Sequence, residues 1–224
     1  MSIKRIIDSQ LLIALFNPKD AFHEKAKEIV TGNVIFLESV RKEAKMTFLR
    51  KYNRACIKIY RLIDAIRLGN FQTEEEILKF AETKLEELIS SESNLENFYR
   101  FVFDLIKDKL VDRDKLIDIP LVLDDYATKI VARMSRLGKK QIIIEIDEDK
   151  LKLREEIYRT IKDIKFRLRD MEIFCDAVAY TIDTGEECEL CTGDVKFYKR
   201  ALEALERLKQ HGYNPKLKVT LVKP

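Results

Sequence analysis

Residues 170–198 read DMEIFCDAVAYTIDTGEECELCTGDVKFY, and this stretch limits the fold more than any other. It predicts an amphipathic helix carrying Asp176, a turn at Gly185, and a short apolar strand from Cys188 to Thr192 that stops at Gly193-Asp194. If the sheet is parallel, the tip of that strand lies at its carboxyl edge, where open α/β folds bind ligands. The first strand of the chain, Ile3 to Ile7, also ends in an acid, Asp8.

The intervening chain reads as helices with two more strand signals. Ser9 can cap a helix over 10–16, which stops at Asn17-Pro18. Asp20 opens a second helix, 20–31, with Gly32 as its stop, and Val34 to Leu37 forms the second strand. Parallel strands need a crossover of this kind, so strand–helix–helix–strand points to an α/β class rather than all-α. From Ser39, an apolar stripe at Val40, Ala44, Phe48, Ala55, Ile59, Leu62 and Ile66 keeps helical period. That helix runs on to Gly69-Asn70 or breaks near Tyr52-Asn53. Thr73 with Glu76 and Ser93 with Glu96 form capping boxes for helices 74–89 and 94–110. Pro120 suits the first turn of a helix ending at Gly138. Gln141 to Ile146 reads as a strand or a buried helical turn, and Asp147 starts a helix reaching towards Arg167. A helix over 196–210, a stop at Gly212 and a strand over 217–222 close the chain. The expected division is an α/β domain in two pieces, 1–53 and 166–224, around a helical insertion over 54–165.

Composition narrows the function classes. Of 224 residues, 46% are hydrophobic and 36% charged, which fits a folded, charge-rich protein. A net charge of +3 is too small to imply nucleic-acid binding unless it is clustered. No apolar run approaches the ~18 residues of a membrane span, and MSIKRIID lacks the apolar core of a leader peptide. Cys56, Cys175, Cys188 and Cys191 are too few for a disulfide scaffold, so the expectation is free thiols in a reducing cytoplasm. Cys188 and Cys191 make half a metal motif, with no second pair or histidine to complete it. His23 reads as a helix-packing residue, and His211 beside Gly212 as a helix C-terminal cation.

The acids suggest chemistry. Asp8 and Asp194 end strands, Glu43 lies in the second turn of the helix after strand two, and Asp176 lies on the helix before the TGD strand. Each alone reads as a cap or a solvated acid. Together they can meet at one sheet edge. Clustered carboxylates repel, so at least one would have a raised pKa unless a cation sat among them. Oxygen ligands suit Mg²⁺ or Mn²⁺.

In their order these motifs resemble the PIN-domain ribonucleases. The apolar strand ending in Asp and followed by Ser stands here as IIDSQLL. The helix with His and Ala is FHEKA at 22–26, and ESVRKEAKM places an acid, Glu43, about five residues after the second strand. The helix acid corresponds to Asp176-Ala177-Val178-Ala179, and the T-x-D-x-x-F element to Thr192-Gly193-Asp194-Val195-Lys196-Phe197. The resemblance covers roughly 1–52 and 165–222. It implies a three-layer α/β domain with a central parallel sheet, interrupted here by a large all-helical insertion. It also implies Mg²⁺- or Mn²⁺-dependent endonucleolytic cleavage of single-stranded or structured RNA. Asp8, Glu43, Asp176 and Asp194 would be the catalytic, metal-holding set, supported by Ser9 and Thr192. The chain departs from the pattern at Lys196, where many members carry a further acid, and in its insertion, which argues against a compact toxin role. Neighbouring acids compete: Glu172 could join the site, Glu38 could replace Glu43, and Asp170 is discounted because it lies about 120° round the helix from Asp176.

Basic residues crowd the long third helix, from Arg41 to Arg67, with Tyr52 and Tyr60 among them. They read equally as an RNA-facing surface and as a solvated face. Arg41 and Lys45, flanking Glu43, are the candidates for substrate phosphate. Phe98, Tyr99, Phe101 and Phe103 read as the insertion's core or as a homodimer contact. An antitoxin-like protein partner has no support in the sequence, and a membrane partner is excluded. Two other function classes stay open: a non-catalytic PIN-fold scaffold binding RNA or protein, and a structural assembly subunit.

Overall fold

A computed structural model describes residues 3–137 and 148–224. Along the chain it gives β1 (Lys4–Ile7), α1 (Ser9–Phe16), α2 (His23–Val30), β2 (Val34–Ile35) and α3 (Glu38–Leu68). Then follow α4 (Glu74–Ser91), α5 (Glu96–Leu110), α6 (Ile119–Arg136), α7 (Glu148–Ile161), α8 (Leu168–Thr184), β3 (Cys188–Thr192), α9 (Val195–Gln210) and β4 (Leu217–Leu221). The protein is therefore mixed α/β. It divides into two compact units. The first takes the described residues of Met1–Phe16, Ala21–Lys45 and Met134–Pro224, and the second Asn17–Asp20 and Met46–Arg133.

The first unit holds a four-stranded sheet in the order β2-β1-β3-β4. Every neighbouring pair is parallel, with Ile6 beside Ile35 and Leu190, and Leu190 beside Val219. The central strands are buried, as parallel strands require: Ile6 and Leu190 are fully covered. From β1 the chain crosses to β2 on one side; β3 then lies on the other side of β1. The boundary between β1 and β3 is the point where strand order reverses, and their carboxyl ends, Asp8 and Thr192, flank it. α8 runs back along the sheet and is stopped by Gly185, whose φ of +66° is the left-handed cap position that glycine adopts without a Cβ penalty.

The second unit is helical. Its core is aromatic, with Phe48 stacked on Tyr52 at 5.5 Å between ring centroids and Phe98 and Phe101 tilted against them. The Tyr52 hydroxyl donates to the Leu123 carbonyl at 2.8 Å, so the one polar atom of a buried ring is satisfied. Phe98, Tyr99, Phe101 and Phe103 are all buried in this core, which removes them as a dimer contact.

Several expectations shift. α3 is unbroken through Tyr52-Asn53, because Tyr52 packs inward on the apolar stripe rather than ending it. Thr73 caps α4 through the Glu76 amide as expected, but Ser93 caps nothing; a 3-10 turn, Ser93–Leu95, leads into α5 instead. α7 ends at Ile161, short of Arg167, and lies in the first unit, so the compact helical unit is narrower than 54–165. The chain leaves the helix there because Phe166 docks between Phe174 and Phe197. The strand expected over Gln141 to Ile146 lies outside the described residues. Among the described residues no helix is long and apolar enough to cross a membrane.

Candidate metal centre

Asp8 leaves β1 as the N-cap of α1. Its Oδ1 accepts from the Leu11 amide at 2.8 Å, so Asp8 does the capping expected of Ser9, which is simply the first helical residue. Its Oδ2 accepts from the hydroxyl of Thr192, at the tip of the neighbouring strand. Thr192 Oγ1 in turn accepts from the Asp194 amide at 3.0 Å. Asp194 is the N-cap of α9, with Oδ1 accepting from the amides of Lys196 at 2.7 Å and Phe197 at 3.0 Å. A continuous hydrogen-bonded link thus joins Asp8, Thr192 and Asp194 across the switch point.

The electrostatics identify the third and fourth acids. Asp8 is 5% exposed, and burial pushes its carboxyl up to about 7. The Leu11 and Thr192 hydrogen bonds oppose that rise, while the charges of Asp194 and Asp170 add to it. Asp170, in the first turn of α8, is pushed up to about 6 by burial and by the charges of Glu43 and Asp194, with Arg167 and Arg200 opposing. Glu43 Oε2 is buried without a hydrogen-bond partner. The charges of Asp194 and Asp170 thus reach Asp8, and those of Glu43 and Asp194 reach Asp170.

Asp176, further along α8, has other partners. Burial pushes its carboxyl up, opposed by the Ser39 hydroxyl, Arg154 and Lys42, with Glu172 adding to the rise. Arg154 Nε lies 3.0 Å from Asp176 Oδ1, an ion-pair contact outside hydrogen-bonding geometry, and that oxygen has no hydrogen-bond partner. Asp170, discounted from sequence, is the acid of α8 whose charge reaches Asp8, whereas the charges acting on Asp176 are those of Arg154, Glu172 and Lys42. The reason is geometric. A helix entering a parallel strand runs antiparallel to it, so the helix's first turn lies towards the strand's carboxyl tip. Asp176 sits six residues further along, about 9 Å down the axis and about 120° round it.

The remaining candidates divide. Arg41 is buried and committed: Nη2 donates to the Ser135 carbonyl at 2.8 Å and Nη1 lies 3.3 Å from Glu38 Oε2. It is not placed to meet a phosphate, and Glu38 is held with it. Lys45 is half-buried, in the third turn of α3. Arg167 and Arg200, which the sequence reading did not single out, are the cations whose charge reaches Asp170. All four cysteines are free and buried, and burial raises the Cys188 and Cys191 thiols to about 11 and about 12, so neither offers a thiolate near neutral pH. His23 Nδ1 lies 2.8 Å from the Ala14 carbonyl and ties α2 to α1.

An oxygen-only donor set with an orphaned buried carboxylate oxygen and two raised carboxyls fits a hard divalent cation in kind. In spacing, no three His, Cys, Asp or Glu side chains among the described residues are gathered tightly enough to enclose one. Comparison with family models, with curated proteins and with solved structures finds no match for the chain.

Proposed function

We propose that the protein is a divalent-metal-dependent endonuclease of the PIN-like type, acting on single-stranded or structured RNA. One or two of Asp8, Asp170, Asp194 and Glu43 would hold Mg²⁺ or Mn²⁺, with water completing its shell. The observation that carries the reading is the hydrogen-bonded link from Asp8 through Thr192 to Asp194 at the carboxyl edge of a parallel sheet, beside its switch point, with Asp170 near enough for its charge to reach Asp8. Structural caps alone need no such convergence.

A cation bound there would neutralise phosphodiester charge and lower the pKa of its water. The chain's own part follows from the site. Asp8 and Asp194 are fixed by helix N-terminal amides and by Thr192, so their oxygens are oriented before any ligand arrives. Asp8 and Asp170 hold protons near pH 6 and release them on binding a cation. Arg167 and Arg200 stand where a substrate phosphate beside Asp170 would meet positive charge.

One observation favours a second reading, a non-catalytic scaffold: Asp8 and Asp194 both serve as N-caps, which is reason enough for an acid at each position. The two are separated by incubating RNA and single-stranded DNA with Mg²⁺ or Mn²⁺ and the wild type, Asp8→Asn and Asp170→Asn. The nuclease reading expects metal-dependent cleavage by wild type and a loss of at least ~100-fold in both variants. No cleavage by wild type, or equal cleavage by all three, leaves the scaffold.

A further inference from the structure

We infer that α3 carries a self-complementary face through which two copies of the chain pair antiparallel. The face lies wholly within the second unit. Met46, Arg50, Asn53, Ile57, Arg61, Asp64 and Leu68 follow one another at spacings of three and four, and all are exposed. At 100° per residue they fall within an arc of about 80°, over a length of about 33 Å. Its apolar members are spaced along the whole face and open to solvent: Met46 is 61% exposed, Ile57 55% and Leu68 89%. The apolar stripe that builds the unit's core, from Phe48 through Ile59 to Ile66, is on the opposite side of the same helix.

The sequence of this face reads as its own complement. Place a second copy antiparallel, with the two-fold axis at Ile57. Ile57 then meets its own counterpart. Arg50 and Asp64 are each seven residues from Ile57, so each Arg50 faces the other copy's Asp64. Met46 and Leu68 are each eleven residues away and also face each other; Asn53 and Arg61, each four away, make a polar pair. One register therefore yields two ion pairs and three apolar contacts, and it is the isologous pattern a two-fold dimer demands. Among the described residues Arg50, Arg61 and Asp64 take part in no ion pair within the chain, whereas the flanking Arg54 and Lys58 are bound to Glu92.

A nucleic acid is the less fitting occupant. Tyr52, one of the two aromatics that would stack on bases, is buried, and Arg54 and Lys58 are neutralised by Glu92. Phosphates also gain nothing from Met46, Ile57 and Leu68.

The test is sedimentation velocity of the full chain from ~1 to ~200 µM, a span set by the modest area of one helix face. Wild type is expected to move to twice the monomer mass across this range. Ile57→Asp, an exposed substitution, is expected to raise the midpoint at least tenfold, with circular dichroism unchanged. Arg50→Asp and Asp64→Arg should each weaken pairing. Combined in one chain they restore it, and an equimolar mixture of the two single variants forms a heterodimer, because every charge again meets its opposite. A wild type that stays monomeric throughout, or a dimer indifferent to Ile57→Asp and to the charge swap, overturns the inference. So does a monomer that shifts a labelled RNA in a manner dependent on Arg50 and Arg61.

Discussion

The Thr192 hydroxyl donates to the Asp8 carboxylate from the tip of the adjacent parallel strand, joining residues that are 184 positions apart. The same oxygen accepts from the Asp194 amide, so a single side chain fixes two acids. Thr192→Val keeps the shape and β-propensity but removes both bonds. Asp8 would then be a buried carboxyl short of a donor, a loss of about 1–3 kcal/mol. Urea denaturation is expected to show that loss, and Thr192→Ser, which keeps the hydroxyl, to recover most of it.

Asp8 and Asp170 make stability depend on pH. Folded, they keep their protons to about pH 7 and about pH 6, against an ordinary value of 3.8. Between those limits the folded state binds more protons than the unfolded one, so rising pH favours unfolding. Their contribution is complete below about pH 3.8 and is lost as pH climbs through 6 and 7. For Asp8, at about 1.4 kcal/mol per unit, the loss is at most roughly 4 kcal/mol. Urea midpoints are expected to fall between pH 5 and pH 8, and Asp8→Asn to flatten that fall.

A cation at the site would reverse this trend. Mg²⁺ or Mn²⁺ competes with the protons on Asp8 and Asp170, so binding at pH 6 is expected to release on the order of one proton. Calorimetric titrations in buffers of differing ionisation enthalpy measure that number directly. Asp8→Asn and Asp170→Asn should each reduce it, while Asp176→Asn should leave it unchanged.

The two acids of α8 should separate cleanly in mutants. Asp170→Asn is expected to abolish metal-dependent cleavage. Asp176→Asn should keep it within about tenfold, since Asp176 answers to Arg154, Ser39 and Lys42 rather than to Asp8. Burial holds the Asp176 carboxyl above its ordinary range, so the neutral isostere is expected to be stabilising at pH 8. Thermal unfolding checks the sign.

Gly193 lies between the two site residues at the β3 tip. A Cβ there would stand 3.0–3.3 Å from the Phe22 ring, too close unless the ring gives. Gly193→Ala is expected to displace the tip and weaken cation binding several-fold while costing about 1–2 kcal/mol of stability.

The strands, the Gly185 stop and the acid-tipped ends of β1 and β3 were legible in the sequence, because β-branched runs and turn residues are local signals. The choice of acid on α8 was not. The match at Asp176-Ala177-Val178-Ala179 favoured Asp176, whereas which acid nears the sheet edge depends on how far the helix extends past it, and its start depends on Phe166 docking against Phe174 and Phe197. Arg41 misled for a similar reason: its position beside Glu43 suggested a mouth, while its guanidinium closes on the Ser135 carbonyl and Glu38. Such long-range partners leave no local trace.

The chain order of the sheet has a bearing on biosynthesis. β1 is made long before its neighbour β3 and the Thr192–Asp194 turn, and closing so long a loop precedes any reward from the pairing. The helical second unit draws on nearby partners and can form while synthesis continues. Until β3 arrives, Asp8 has no Thr192 to orient it and no Asp194 beside it, so in the nascent chain its carboxylate stays open to water and free to take other partners.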